Sequence, residues 1–310
     1  MRVLIAYDGS DGSEAALEDL KLAGLGKSVE ATILSVAEVW LPPPETSFGI
    51  DKPFPVYTPP EVRKAHEIAA QAIEKMRSVA DEAKTRLQSI SRSWEIRTEV
   101  RSGSPWAEVI NGANELEANL IVVGSHGRSA LGRFFLGSVS QKILNEARCS
   151  VRVGRKAPNG SSAGRHLLIG IDGSPGSEAA VEEVAMREWP SGTRIQVVTA
   201  EDPNVPLAFG GLNEDIASGK GERRSVQTIV EASAEYLLKA GFDAYAEVKQ
   251  GDAKKVLIDE AKRSGADCIF VGASGWANRL DRFLLGSVST AVANRAECSV
   301  EVVRSRRSSA

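Results

Sequence analysis

The chain is poor in the two residue types on which disulfide-rich and zinc-dependent proteins rely. Its 310 residues include three cysteines and three histidines. So few cysteines cannot form a disulfide framework, and the histidines His66, His126 and His166 stand in separate segments, without the clustering that a catalytic metal needs. We therefore expect no metal site, and the scarcity of cysteine is typical of proteins of the reducing cytoplasm.

Long apolar runs and an excess of charge of one sign are also missing. No stretch approaches the roughly 18 apolar residues that cross a bilayer, and residues 1–8 lack the apolar core and cleavage site of a signal peptide. Lysine and arginine together number 38, against 41 for aspartate and glutamate, which disfavours a large basic surface for nucleic acid. We predict a cytoplasmic globular protein with no membrane and no nucleic-acid partner.

The chain does contain an internal repeat. An apolar run followed by Asp8-Gly9-Ser10 returns as a similar run followed by Asp172-Gly173-Ser174. Three further blocks recur in the same order: 120–124 with 268–272, 136–140 with 285–289, and 149–153 with 298–302. Because the blocks keep their order, we predict two duplicated domains, residues 1–156 and 164–304, joined by a turn-rich connector at 154–165.

Within each half, short apolar runs alternate with segments of helical periodicity. Residues 2–7 are too uniformly apolar for a strand that is wet on one face. Ser13 is a candidate N-cap for a helix over 13–25, and a second helix over 60–90 has an apolar stripe from Ile68 to Leu87 that is expected to face the core. The alternation predicts an α/β fold with parallel sheets and helices on both faces.

Two acidic residues, Asp8 and Asp172, follow the first predicted strand of each half. Ligands of open parallel sheets bind beyond the carboxyl ends of the strands. A carboxylate at this place can accept hydrogen bonds from a ribose, or it can cap the turn that follows. The sequence leaves both interpretations open.

A glycine-rich segment follows the fourth predicted strand. It runs Gly124-Ser125-His126-Gly127, then nine residues, then Gly137-Ser138 at the start of a helix. Glycines let the backbone approach a phosphate, and a helix start offers unpaired N–H groups and a partial positive charge. Hydroxyls of Ser138 and Ser140 and the charges of Arg128 and Arg133 would assist. The spacing predicts a phosphate site, with glycines needed only for tight turns as the alternative; His126 either shapes the loop or contacts the ligand.

Residues 41–60 hold seven of the 13 prolines. Proline removes backbone donors and restricts the backbone, so this segment is predicted to be an extended loop. It is either a surface excursion or a lid or partner-docking loop.

The repeated blocks resemble those of the universal stress proteins, and the resemblance covers both halves. It implies two tandem doubly wound five-stranded parallel sheets in the strand order 3-2-1-4-5, of the adenine nucleotide alpha hydrolase-like kind, related by a pseudo-twofold axis. It also implies ATP binding where the glycine segment is present, with Asp8 at the ribose, the backbone near Val36 at the adenine, and the glycine segment at the phosphates. The candidate binding residues of the first half are Asp8, Val36, Gly124, His126, Gly127, Arg128, Gly137, Ser138, Val139 and Ser140.

The resemblance further implies pairing through the last strand of each domain. A tandem chain can form that pair internally, with residues 150–153 against 299–303. An internal pseudo-dimer is therefore expected, with a further homodimer left open.

The second half departs from the pattern. Ten residues, not nine, separate Gly275 from Gly286, Trp276 stands where the first half has Arg128, and Asp281 replaces Gly132. An indole and an added carboxylate are poor neighbours for a triphosphate. We expect one competent site in the first half and a weak or empty second one, whose candidate residues are Asp172, Gly272, Gly275, Gly286 and Ser287.

The functional prediction is a cytoplasmic stress-response protein that binds ATP or a related adenine nucleotide and has no efficient chemistry of its own. The sequence assigns no general base, and Mg²⁺ would arrive with the ATP. Two alternatives stay open: a slow ATPase in which His126 or Asp8 assists water, and an interaction scaffold that binds no nucleotide.

Overall fold

The computed structural model describes residues 1–39, 60–126, 136–156, 164–202, 226–274 and 285–305. Strands and helices alternate in both halves. The first half contains β1 (Arg2–Ala6), α1 (Asp11–Asp19), β2 (Glu30–Ala37), α2 (Pro60–Ile90), β3 (Glu95–Ser102), α3 (Pro105–Glu115), β4 (Leu120–Gly124), α4 (Ser138–Glu146) and β5 (Ser150–Gly154). The second half contains β6 (His166–Gly170), α5 (Pro175–Ala185), β7 (Arg194–Glu201), α6 (Val226–Lys239), β8 (Asp243–Gln250), α7 (Ala253–Ser264), β9 (Cys268–Gly272), α8 (Ser287–Arg295) and β10 (Ser299–Val303).

The strands form one ten-stranded sheet in the order β3-β2-β1-β4-β5-β10-β9-β6-β7-β8. Within each half neighbouring strands are parallel, whereas β5 and β10 pair antiparallel in the middle. Both halves thus have the order 3-2-1-4-5, and the predicted α/β class with tandem doubly wound parallel sheets is confirmed. The pairing of β5 with β10 is the internal edge contact that the resemblance implies.

Helices cover both faces of the sheet because most strands are apolar on both sides. On one face a single cluster of buried side chains runs through both halves, from Leu4 and Val153 to Val300 and Leu168. On the other face each half has its own cluster, with Leu17 at the first and Val181 at the second. The two repeats therefore share a core on one side of the sheet and keep separate cores on the other.

Two details of the helices correct the sequence analysis. The N-cap of α1 is Ser10, not Ser13: the backbone at Ser10 is extended, its side chain accepts from the Ser13 N–H, and the first helical bond runs from Glu14 N to Ser10 O at 2.9 Å. The α-helix also ends at Asp19 rather than near residue 25, because Leu20–Leu22 tighten into a 3₁₀ turn.

The stripe of α2 does not begin at Ile68, whose exposure is 55%. Its neighbour Ala69 is buried instead, two helical turns before the buried Met76 and on the same face. Ile68 is rotated off that face. No helix within the described segments is long and apolar enough to span a bilayer.

Candidate functional site

A pocket of about 540 Å³ opens where β1, β2 and β4 end. This volume is within the usual range for small-molecule sites, roughly 300–1,000 Å³. The carboxyl ends of parallel strands meet at one edge of the sheet, and loops and helix starts complete the walls. The lining includes eight of the residues singled out from the sequence: Asp8, Val36, Gly124, His126, Gly137, Ser138, Val139 and Ser140.

The wall formed by the end of β2 and by helices α2 and α3 was missed by the sequence analysis. It is largely apolar, with Ala37, Val39, Met76 and Val109, and it includes Lys75, the one lysine or arginine among the lining residues that the structure describes. The apolar periodicity predicted that α2 packs against the core, but it did not indicate that part of the helix lies beside the pocket. Chain connectivity could have indicated this, because a helix that follows β2 must begin at the carboxyl edge of the sheet.

Asp8 forms the turn that caps α1 and also lines the pocket. Its Oδ1 accepts hydrogen bonds from Ser10 N at 3.0 Å and from Ser10 Oγ at 2.6 Å. In the second half Asp172 Oδ1 likewise accepts from Ser174 N at 3.0 Å. The capping role that the sequence left open is therefore observed, and it orients the Asp8 carboxylate at the pocket wall.

The start of α4 presents backbone donors to the pocket. Gly137 is its N-cap, with its own N–H donating to Ser125 O at 2.8 Å, and the first helical bond is made by Gln141 N to Gly137 O at 2.9 Å. The first N–H groups of a helix lack partners within the helix. Those of Ser138, Val139 and Ser140 belong to residues of the pocket wall, where the helix dipole favours an anion.

The hydroxyl of Ser140 is engaged within the protein. It donates to the carbonyl of Gly124 at 2.7 Å and so ties the start of α4 to the end of β4. In the second half the Ser289 hydroxyl lies 2.9 Å from Gly286 O and 3.1 Å from Ala273 O, the residue after the strand-ending Gly272. Ser140 thus offers its backbone N–H to a ligand, whereas the sequence analysis expected its hydroxyl.

Gly124 is required by backbone packing. A Cβ at this position would lie 2.4 Å from the carbonyl carbon of Gly12, so the end of β4 and the start of α1 are in direct backbone contact. A Cβ on Gly272 would lie 2.4 Å from the same atom of Gly176. In both halves the close backbone contact requires glycine at this position, whether or not a ligand binds.

His126 combines a loop role with a place in the pocket wall. Its Nδ1 lies 2.9 Å from Ser125 Oγ, and its carbonyl oxygen lies 3.2 Å from Ser10 Oγ, whose shorter hydrogen bond is to Asp8. The second contact ties the loop after β4 to the cap of α1. Both interpretations of His126, loop structure and proximity to a ligand, are compatible with this placement.

Tyr7 borders the pocket but is unsuited to accept a proton. Its hydroxyl donates to Glu14, which also pairs with Arg86. Burial, followed by the hydrogen bond to Glu14, raises the pKa of Tyr7 well above its usual value. The phenol therefore stays protonated and fixes α1 against the end of β1.

The second half repeats the described geometry with altered charge. Asp172 follows β6, Gly272 ends β9, and Gly286 caps α8 with its N–H donating to Ala273 O at 2.7 Å. By strand register, Glu201 stands where the first half has Ala37. Glu201 accepts from Gln250 Nε2 at 2.6 Å.

Several residues chosen from the sequence lie outside the described residues. They are Gly127, Arg128, Gly132, Arg133, Gly275, Trp276, Asp281 and the proline-rich segment up to residue 59.

Comparison with known proteins links both halves to one family. The universal stress protein family profile matches residues 1–155 and 164–304. A universal stress protein of Mycobacterium tuberculosis is 28% identical over 97% of this chain and 96% of its own length. The crystal structure of one from Archaeoglobus fulgidus has the same fold, with a TM-score of 0.64 at 19% identity over 98% of both chains. An Arabidopsis thaliana family protein with AMP bound aligns with 47% of this chain and 94% of its own, at 19% identity and a TM-score of 0.33.

Proposed function

The chain belongs to the universal stress protein family, and from this premise we propose that its first half binds an adenine nucleotide in the pocket at the ends of β1, β2 and β4. One observation carries the proposal. A single pocket of about 540 Å³ has an apolar wall on one side and the start of a helix on the other, and eight residues chosen from sequence motifs line it. Adenine needs the first surface and phosphate the second.

The proposed ligand lies across the pocket between these two surfaces. The adenine packs beside Val36 and Val39, and the ribose hydroxyls reach the carboxylate of Asp8. The phosphates accept hydrogen bonds from the first N–H groups of α4. Any Mg²⁺ would arrive bound to the ATP phosphates.

Lys75 of α2 is proposed to supply the positive charge of the site. It lines the pocket together with the acidic residues Asp8 and Glu38. A lysine here would favour a phosphate-bearing ligand over a bare nucleoside.

The proposed role is a cytoplasmic, nucleotide-responsive regulator of a stress response without efficient catalysis. The three cysteines are free, in keeping with a reducing compartment. The protonated phenol of Tyr7 is a poor general base. The second candidate function is slow ATP hydrolysis assisted by His126, which the place of His126 in the pocket wall favours.

Thermal unfolding with and without nucleotide tests the proposal, because a ligand that binds the folded state raises Tm. ATP, ADP or AMP should raise Tm, adenosine should do so less, and any nucleotide carried through purification should contain adenine. No shift with any adenine nucleotide would support a scaffold that binds none. Phosphate release that falls in His126→Ala would favour hydrolysis assisted by His126, and unchanged release would reject that role of His126.

We also propose that the second half binds nucleotide weakly or not at all. Glu201 and Asp202 occupy the positions that Ala37 and Glu38 hold in the first half. The second half therefore has one more carboxylate near the equivalent site. Added negative charge disfavours a polyphosphate. The ATP-induced rise in Tm should disappear in Asp8→Asn and persist in the matched variant Asp172→Asn; equal losses in the two would contradict the asymmetry.

A further inference from the structure

The junction between β5 and β10 is nearly symmetric in its polar contacts. Arg155 N donates to Ser299 Oγ at 3.0 Å, and Arg304 N donates to Ser150 Oγ at 3.1 Å. The guanidinium of Arg155 donates to a carbonyl of α8 at 2.5 Å, and that of Arg304 to a carbonyl of α4 at 2.7 Å. These contacts are the same from either side, so they do not distinguish one half from the other.

The central position of the junction breaks this symmetry. Arg152 on β5 lies directly opposite Glu301 on β10, with Arg152 Nη1 donating to Glu301 Oε2 at 3.1 Å. The two residues occupy equivalent positions in the repeated blocks 149–153 and 298–302. Their side chains are 1% and 0% exposed, so water does not screen the difference in charge.

The pair belongs to a row of five buried charges that alternate in sign, with Glu301 at its centre. Asp19 Oδ2 accepts from Arg152 Nε at 2.6 Å, and Glu301 Oε2 accepts from Arg187 Nη1 at 2.9 Å. Arg187 Nη2 also donates to Glu183 Oε1 at 2.9 Å. The row therefore reads acid, base, acid, base, acid across the two halves.

Arg187 compensates for a conflict that the repeat would create. Asp19 and Glu183 hold equivalent positions near the ends of α1 and α5, so with Glu301 on β10 the second half would bring two carboxylates together. Arg187 lies between them. Its Nη1 also donates to the carbonyl of Ala23 at 2.9 Å, which anchors it to the first half.

Pairing of two like halves in the same register would bring Arg152 against a second Arg152, or Glu301 against a second Glu301. A buried charge that faces its own sign is strongly disfavoured, and such repulsion is a general means of rejecting wrong partners. We propose that this junction selects its partner by charge: each last strand accepts that of the unlike half, in the same chain or in a second copy of it, and rejects its own kind. The proposal does not depend on nucleotide binding.

Charge reversal in the intact chain tests the sign dependence. Glu301→Arg sets an arginine against Arg152, as in a pair of first halves, and also against Arg187. Glu301→Gln removes the charge at similar size. We expect Glu301→Arg to lower Tm at least twice as much as Glu301→Gln, or to prevent folding where Glu301→Gln still folds. Reversal of the exposed Glu297, which pairs with Lys262, should change Tm little. Equal shifts for Glu301→Arg and Glu301→Gln would overturn the proposal.

Partner choice itself is measured on the full chain carrying a protease site between residues 156 and 164. The folded protein is cleaved, mixed with an isotopically labelled cleaved sample and examined by native mass spectrometry. We expect complexes of one first half with one second half, and like pairs at least ten-fold rarer. The triple variant Asp19→Asn/Arg152→Met/Glu301→Met removes three of the five charges and keeps the Arg187–Glu183 pair. In this variant the fraction of like pairs should increase. Like pairs as abundant as unlike pairs in the unmodified protein would refute charge selection. If the cleaved halves separate, the charge-reversal result decides.

Discussion

At the residue scale, the structure gives Gly124 a packing requirement that the sequence motif did not indicate. The sequence motif suggested close approach of a phosphate, whereas the structure shows close approach of the Gly12 backbone, 2.4 Å from a Cβ built at residue 124. Either role excludes a side chain. The packing contact was not predictable from the motif, because it joins segments that are distant in sequence.

Gly124→Ala is accordingly expected to destabilise the protein even without ligand. Overpacking against rigid backbone costs about 1–3 kcal/mol of unfolding free energy, measurable by urea denaturation. Gly272→Ala should cost a similar amount. Gly26→Ala is the control, because its added Cβ would meet only the end of the Glu188 side chain at 3.0 Å, and it should change stability by less than about 0.5 kcal/mol. Equal losses at residues 26 and 124 would contradict the backbone-contact argument.

Lys75 provides a prediction about ligand charge. If it contacts phosphate, Lys75→Ala should weaken ATP binding by about ten-fold, in line with roughly 1.5 kcal/mol for a hydrogen bond to a charged group. The loss should be smaller for adenosine. Lys84→Ala, on the same helix but outside the pocket lining, should leave affinity unchanged. An equal loss of affinity for ATP and adenosine would show that Lys75 does not contact the phosphates.

At the scale of the element, the starts of α1 and α5 form a matched pair. Ser10 and Ser174 each cap a helix by accepting from the N–H three residues on. Ser10 holds Asp8 at the pocket through its N–H and hydroxyl, and the Ser174 N–H holds Asp172 in the second half.

Ser10→Ala and Ser174→Ala should each lower the free energy of unfolding by about 1 kcal/mol, the usual cost of a lost N-cap. Calorimetric titration should show weaker nucleotide binding for Ser10→Ala alone. If both substitutions weaken binding equally, Asp8 does not depend on this cap for its orientation.

Element boundaries were the least predictable part of the fold. The apolar run at residues 2–7 placed β1 (Arg2–Ala6) within a residue, because a strand that is buried on both faces has a distinct composition. The N-cap was displaced from Ser13 to Ser10, since both serines fit the capping preference and only backbone geometry separates them. Ile68 was misplaced because a one-residue shift rotates a side chain off the buried face.

At the scale of the whole molecule, the repeat was the strongest sequence signal. Conserved order of the blocks within the chain predicted the duplication, and the strand order and central pairing came from the family resemblance. The pocket wall on α2 and the buried charge row were not predictable, because both depend on which distant residues face each other. Arg152 and Glu301 stand in the repeated blocks, yet their opposition is visible only in the register of β5 and β10.

The charge row predicts that acid weakens the junction. Burial acts to raise the pKa of Glu301, but Arg187 and Arg152 outweigh it, so the pKa lies below its ordinary value of 4.5. A carboxylate with a lowered folded-state pKa stabilises fully above its unfolded pKa and loses that contribution as the pH falls through the folded-state value. The difference in unfolding free energy between the wild type and Glu301→Gln should be constant above pH 4.5 and shrink below it. A difference that is independent of pH down to unfolding would contradict this role.

The most direct test of the central claim is isothermal titration of the full chain with ATP, alongside Asp8→Asn and Asp172→Asn. The proposed first-half site predicts one ATP per chain, a loss of affinity of at least ten-fold in Asp8→Asn, and unchanged binding in Asp172→Asn. Two sites of equal affinity would contradict the asymmetry between the halves, and the absence of binding to the wild type would contradict the nucleotide site itself.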